Sequence, residues 1–360
     1  MNDLEAQASP YRWPAEWEPQ ECIWLAWPHN PDTWPGRVQF MPLSFVRFIR
    51  CVTEILPVRL LVPPSLRDQA AQWLTNVPGV EFVPYGTNDC WIRDYGPTFV
   101  RRTDDDSLVG IDWRYNAWGG KYPPWDSDAA AAETICTLAD VPRIESPLTL
   151  EGGALETDGG GRLLTTTSCL VTETRNPGWT KNAIARELHR CLGITEILWL
   201  DDGGLEGDDT DGHIDQVARF VDRNNVVVAV SSTAADPSAA SLEDNYRQLR
   251  IWSQQTEPAV HVHRLPIPPP RLIDGQRVPE SYCNFLRLGP QRILVPQFRN
   301  PASDRVALAI LRNLLPSTEV VGVDAADLVW GLGAMHCASQ QQPSKAVVAE
   351  VARLWTGGES

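Results

Sequence analysis

The sequence predicts an α/β protein in which about five strand–strand–helix–strand (ββαβ) units close into a ring with pseudo-fivefold symmetry. Three observations carry this. Hairpin signals recur near residues 22, 97, 153, 216 and 283, roughly 55 to 75 residues apart, a period that marks an array or a propeller. Most hairpins are followed by a helical stretch with apolar residues near 3.6 spacing, and then by another short strand. No capping repeat is visible, which favours closure over an open stack. The unit recurs along the whole chain, so residues 1–360 read as a single domain. The proline-rich "RLPIPPPRLIDGQRVPE" is a loop within it, because the repeat continues beyond.

Taken in order, the first unit reads "ECIWLAWP", the helix "SFVRFIRCVTEILP", and the strands "VRLLVP" and "VEFVPY". The second opens on "GPTFVRR", turns at "TDDDS", returns as "LVGID" and continues into the helix "DAAAAETICTLAD". The third is "GALETDGGGRLLTTT", the helix "WTKNAIARELHRCLG" with Gly193 past its end, and "ITEILWL". The fourth is "DQVARFVDRNNVVVAV", turning at "DRNN", followed by "AASLEDNYRQLRIWSQQ" and "AVHVHRLPI". The fifth is "CNFLRLGPQRILVPQF", turning at "LGPQ", followed by a helix started by Ser303 and Asp304, and by "TEVVGVD". Each hairpin sets apolar or β-branched flanks around Gly, Asn, Asp or Pro, the residues that tight turns need.

Bulk composition narrows the function. Hydrophobic residues make up 43% of the chain, enough for a sizeable core, and charged residues 21%. The net charge of -15 disfavours nucleic acid, whose phosphates need Lys and Arg, and suits a cationic substrate. The eight cysteines are scattered with no CxxC, so neither a zinc site nor a disulfide framework is expected. The start "MNDLEAQASPYRWPAEWEP" lacks a basic, apolar leader, and no stretch approaches the ~18 apolar residues of a membrane span. A reduced, cytoplasmic setting is expected. Most of the 15 tryptophans should be core or pocket wall.

Polar residues gather at the start of each hairpin: Asn88, Asp89, Trp91, Arg93 and Asp94; Glu151; His213 and Asp215; Glu280, Tyr282 and Asn284; and Cys337 within "GLGAMHCASQQQP". If the units surround one axis, these positions converge at one end of it. Singly, each has a plainer reading. Asp94 could cap a turn, Glu151 could be a surface acid beside Gly152-Gly153, and Cys337 a packed small residue. His213 and Asp215 alternate, so on a strand they share a face. His336 should point away from Cys337 if the segment is extended. Three carboxylates around a thiol raise its pKa and make a poor nucleophile. The set makes chemical sense if the substrate brings positive charge, and a guanidinium, planar and always charged, matches paired carboxylates.

At these residues the chain resembles the agmatine deiminase and bacterial peptidyl-arginine deiminase family of guanidine-modifying enzymes. The matching pieces are "PAEWEPQECIWLAWP", "NDCWIRDYGPTFV", "DWRYNAWGGKYPP", "LEGGALETDGGGRLLTT", "DTDGHIDQVARF" and "GLGAMHCASQQQP", in the family's order over residues 14 to 343. The resemblance implies a five-bladed α/β propeller, the pentein fold, and hydrolysis of a small cationic guanidine without metal or organic cofactor. It implies Cys337 as nucleophile, His213 as general acid and base, Asp94 and Asp215 as guanidinium-binding acids, and Glu151 as the acid that orients His213 and helps hold the guanidinium. Trp91 and Trp118 match pocket aromatics. Members are often dimeric or larger, which allows a homo-oligomer. With agmatine, the products would be N-carbamoylputrescine and ammonia; peptidyl-arginine or another guanidine is the alternative, and amidine transfer or a silent cation-binding propeller stands further off. One departure is clear: where the family usually reads "GGGNIHC", Ala334 replaces an asparagine.

Overall fold

The computed structural model describes residues 8–345. Five sheets of three or four strands carry the chain. Each repeats one pattern, an antiparallel pair followed by a parallel strand reached through a helix. Thr98–Arg102 pairs antiparallel with Leu108–Arg114, which pairs parallel with Arg143–Thr149. The same order holds for Glu156–Thr157, Arg162–Thr166 and Glu196–Leu200. It holds again for Ala218–Asp222, Asn225–Val230 and His261–Pro266, and for Leu286–Leu288, Arg292–Gln297 and Glu319–Asp324. A parallel neighbour needs a long crossover, and the intervening helix supplies it.

The first unit departs from expectation. Gln20–Ala26 does not open a hairpin near residue 22. The chain leaves it for the helix Met41–Thr53 and returns as Val58–Val62, which forces parallel pairing. Its antiparallel partner is instead Ser339–Pro343, from the far end of the sequence, with Gln340 opposite Trp24 and Gln342 opposite Cys22. This explains the glutamine run. Gln340 Nε2 donates to Pro97 O at 2.8 Å, Gln341 Oε1 accepts from Arg93 Nη1 at 2.7 Å, and Gln342 Oε1 accepts from Trp24 Nε1 at 2.9 Å. Each buried amide thus makes one side-chain bond, although Gln340 Oε1 and Gln342 Nε2 have no partner among the described residues.

Two helix boundaries show the local chemistry. Lys181–Leu192 begins with Thr180 Oγ1 accepting from Ala183 N and closes on Gly193, whose φ of 72° needs a residue without Cβ. The helix Pro301–Leu314 begins two residues before Ser303, because Asn300 caps Ser303 N and Pro301 suits the first turn. The proline-rich loop carries a small hairpin, Leu272–Ile273 with Gln276–Arg277. Helix Met41–Thr53 buries Phe45, Phe48 and Ile49 against the core, at roughly 1.5–3 kcal/mol for each large side chain. No helix among the described residues is long and apolar enough to cross a membrane.

Charged side chains from several units meet at the centre. Arg219 donates to Glu16 at 2.5 Å, to Glu156 at 2.7 Å and to the carbonyls of Cys283 and Phe285. Arg93 binds Gln341, the carbonyl of His336 and, at 3.5 Å, Glu16. Burial alone would push the Glu16 carboxyl up, but Arg219, His336 and Arg93 hold it down at about 2. These residues belong to, or directly precede, strands of all five sheets.

Candidate active site

The expected residues converge beside this network. Asp94 sits in the four-residue helix Ile92–Tyr95, and Glu151 leads the turn Gly152–Ala154. Cys337 lies in the turn before the closing strand. His213 and Asp215 do not lie on a strand. Asp215 is in the 3-10 turn Ile214–Gln216, so their common face comes from a turn rather than from alternation. All five are buried: Cys337 is 5% exposed, Asp94 4%, His213 1%, and Glu151 and Asp215 0%. The surface reading of Glu151 is thereby overturned, whereas Asp94 does bond a turn, at the backbone N–H of Gly153.

Gly153 is the hinge of the arrangement. Its N–H donates to Asp94 Oδ1 at 3.0 Å. A Cβ there would stand 2.6 Å from His213 Nδ1, 2.8 Å from Asp94 Oδ1 and 3.2 Å from Asp215 Oδ2, so the three groups close around the missing side chain. His213 Nδ1 lies 3.7 Å from Asp94 Oδ1 and Nε2 lies 3.5 Å from Glu151 Oε2. These are ion-pair approaches, and neither ring nitrogen has a hydrogen-bond partner among the described residues. Burial alone would lower the imidazole, but Asp94, the Cys169 sulfur and Glu151 outweigh it and hold His213 well above its usual value. Glu151 is itself fixed by Arg175, whose Nε donates to both carboxylate oxygens at 3.0 and 2.8 Å. Burial would raise this carboxyl; Arg175 and His213 keep it low.

The thiol has its own surroundings. Cys337 Sγ lies 3.5 Å from Asp215 Oδ2, to which it donates, and accepts from Asn284 Nδ2 at 3.0 Å. Burial pushes the thiol far up, and Asp215 and Asp94 add to the push. His336 does not point away. The segment turns, and Nδ1 donates to the same Asp215 Oδ2 at 2.7 Å while Nε2 lies 3.4 Å from Glu16. Burial raises the Asp215 carboxyl, and the His336 contact then brings it below its usual value. Asp215 Oδ1 stays unpartnered among the described residues. Ala334, where the family's asparagine is absent, contributes its backbone N–H, which donates to Asn284 Oδ1 at 3.1 Å.

Cys337 and Asp94 open onto a cleft of about 270 Å³ walled by Trp91, Trp118, Tyr122 and Trp330, with Asp89 and Asp209 also on its lining. Among the described residues, no lysine or arginine lines it. Trp118 Nε1 donates to Asp94 Oδ2 at 2.9 Å, and Trp91 packs on Trp34 with ring centroids 5.7 Å apart. Burial pushes the carboxyls of Asp94 and Asp89 up to about 6. Glu151, Cys169 and His213 each offer one donor atom, all within 4.8 Å of one another. The Arg175 guanidinium already occupies Glu151, and its charge opposes a cation there. Sequence reasoning missed Arg175 and gave His336 no place in the site. Arg175 sits in an irregular loop, "ETRNPGW", where no pattern flags it; the adjacency of His336 to Cys337 was the available signal.

Comparison with known proteins identifies the family. The family model described as Porphyromonas-type peptidyl-arginine deiminase matches residues 12–343. The chain belongs to this family. A curated protein of Legionella pneumophila (strain Paris), named provisionally as an agmatine deiminase, is 33% identical over 95% of this chain and 98% of its own length. Among solved structures, the agmatine deiminase of Enterococcus faecalis is 30% identical with a TM-score of 0.86, over 95% of this chain and 99% of that one. A cysteine-to-serine variant of the C. jejuni agmatine deiminase, solved with substrate bound, is 28% identical with a TM-score of 0.85, over 93% and 97%. The chain thus has the α/β fold of the agmatine deiminases.

Proposed function

We propose that the protein is an agmatine deiminase, a hydrolase acting on the C–N bond of a linear amidine. The observation that carries the reading is a buried acceptor without a partner, Asp215 Oδ1, beside a thiol, an imidazole and further carboxylates, next to a cleft that no Lys or Arg lines among the described residues. A buried acceptor without a partner is rare and costly, about 1–3 kcal/mol, and a guanidinium, which offers only donors, would satisfy the Asp215 oxygen, while the ring nitrogens of His213 face the carboxylates of Asp94 and Glu151.

In this reading Asp94 and Asp215 grip the guanidinium and set its central carbon before Cys337. The bound cation offsets the carboxylates that disfavour the thiolate. Thiolate attack forms a C–S bond and a tetrahedral adduct. His213, held as imidazolium, gives its proton to the departing nitrogen, and ammonia leaves. Neutral His213 then takes a proton from the water that attacks the thiouronium carbon. Collapse breaks the C–S bond as the adduct's hydroxyl proton leaves to solvent, where it ends on the released ammonia, and frees the thiolate and the ureido product, N-carbamoylputrescine. Glu151 orients His213 and is held in turn by Arg175. Trp91 and Trp118 wall the pocket. The five sheets are taken as blades of a pentein propeller with pseudo-fivefold symmetry, a reading supported by their common strand pattern and the single central charge network.

Agmatine differs from arginine by the absence of one carboxylate. That carboxylate would meet the like charges of Asp94, Asp89 and Asp209, costing several kcal/mol at a desolvated site. Assays of agmatine, arginine, arginine peptides and methylated guanidines for ureido product should give agmatine at least ~100-fold the kcat/KM of arginine. Equal values, or activity on peptides alone, would remove agmatine as the substrate.

A further inference from the structure

Asn284 lies outside the residues assigned above, yet it touches the reacting atom. We propose that Asn284 is a catalytic residue that stabilises the Cys337 thiolate through its side-chain N–H. The proposal rests on Cys337 being the nucleophile.

The geometry fixes the amide's orientation. Asn284 Oδ1 accepts from two backbone N–H groups, Ala334 at 3.1 Å and Cys337 at 3.3 Å. An oxygen receiving two donors leaves the NH₂ end nowhere to turn but the sulfur, and Nδ2 stands 3.0 Å from Sγ. Asn284 is 1% exposed, so water does not compete for the contact. Its own carbonyl accepts from His336 N at 3.3 Å, which ties the same turn a further time. Burial, Asp215 and Asp94 all disfavour the charged sulfur, whereas the Asn284 amide and the Ala334 backbone favour it. A donor to the charged form raises the thiolate fraction before attack. It also makes the sulfur a better leaving group when the C–S bond of the thiouronium adduct breaks. No atom is transferred to or from Asn284; it holds charge that the sulfur carries before attack and regains on collapse.

The isosteric change Asn284→Asp separates this role from mere support of the turn. It keeps the oxygen that receives Ala334 and Cys337 and replaces the donor with an acceptor. The measurement is the pH dependence of Cys337 alkylation by iodoacetamide without substrate, with the labelled site found by mass spectrometry, alongside kcat and KM for agmatine. For Asn284→Asp and Asn284→Ala the alkylation midpoint should rise by about one pH unit or more, about ten-fold in thiolate at fixed pH. The kcat should fall at least ~10-fold while KM stays within about 3-fold, the pattern of an interaction that acts on the reacting sulfur rather than on binding. If Asn284→Ala fails to fold, Asn284→Asp decides. Alkylation profiles that overlay the wild type, with Cys337→Ser inactive, would overturn the role of Asn284 and leave the nucleophile standing. Turnover by Cys337→Ser would overturn both.

Discussion

Asp94 is the side chain whose charge state should be visible in the kinetics. Its carboxyl is pushed up to about 6 by burial, with Asp215 and Glu151 adding to the push and His213 opposing it. Only the ionised form grips a guanidinium. The kcat/KM for agmatine should therefore fall as pH drops through about 6, and Asp94→Asn should erase that limb and cost at least ~100-fold. A profile flat from pH 5 to 7.5 would place the grip elsewhere. Cys337 makes a second demand. Cys337→Ser should abolish turnover with the fold intact, because an alcohol cannot reach the thiolate's reactivity. An amidine reagent should label Cys337 and spare the seven other thiols. Label on Cys283 or Cys90, with Cys337→Ser still active, would refute the assignment.

Two turns hold these groups, and each can be tested as an element. At Gly153, the change to Ala drives a Cβ to 2.6 Å from His213 Nδ1, closer than side chains approach. Misplacement of that order costs about 100-fold or more in rate, so Gly153→Ala should be nearly inactive even if it folds. Wild-type turnover in that variant would show that the three groups need not close there. The second is the turn Ala117–Gly120, where Ala117 and Trp118 hold φ of 51° and 57°. Left-handed backbone costs a residue with a side chain roughly 1–2 kcal/mol, and here it delivers the indole N–H to Asp94. Trp118→Phe removes that donor, so the acidic limb should move above 6; an unmoved limb would show the bond to be idle. The sequence exposed the hairpins and helices because turn residues and apolar period mark them. It exposed Asp94, Glu151, His213, Asp215 and Cys337 through a shared phase in the repeat. It hid the strand Ser339–Pro343, whose glutamines lack apolar alternation and bond Trp24, Arg93 and Pro97, far away in sequence. Arg175 and the His336 contact were hidden for the same reason, since both depend on long-range packing.

Across the whole molecule, buried carboxyls divide: Glu16, Glu151 and Asp215 are held low by cationic partners, while others are raised. Asp89 and Asp94 sit at about 6, and Glu156 and Glu280 at about 7, each raised chiefly by burial. A carboxyl raised on folding stabilises below its unfolded value, near 4, and that contribution is lost as pH rises through the folded value. The ligand-free protein should therefore lose several degrees of Tm between pH 5 and 8. Agmatine added to the Cys337→Ser variant should recover more at pH 8 than at pH 5, since the dication compensates ionised Asp89 and Asp94. Equal ligand shifts at both pH values would contradict the charge state of the cleft. The pairing of Gln20–Ala26 with Ser339–Pro343 has a temporal side. On the ribosome, the stretches bearing the acids and His213 emerge before the stretch bearing Cys337. A nascent polypeptide thus carries most of the cation grip while it has no chemistry to perform, and its first sheet waits with an open edge. Cys337 and the strand that closes that edge arrive together, so in this reading closure of the first sheet and onset of catalysis are one event.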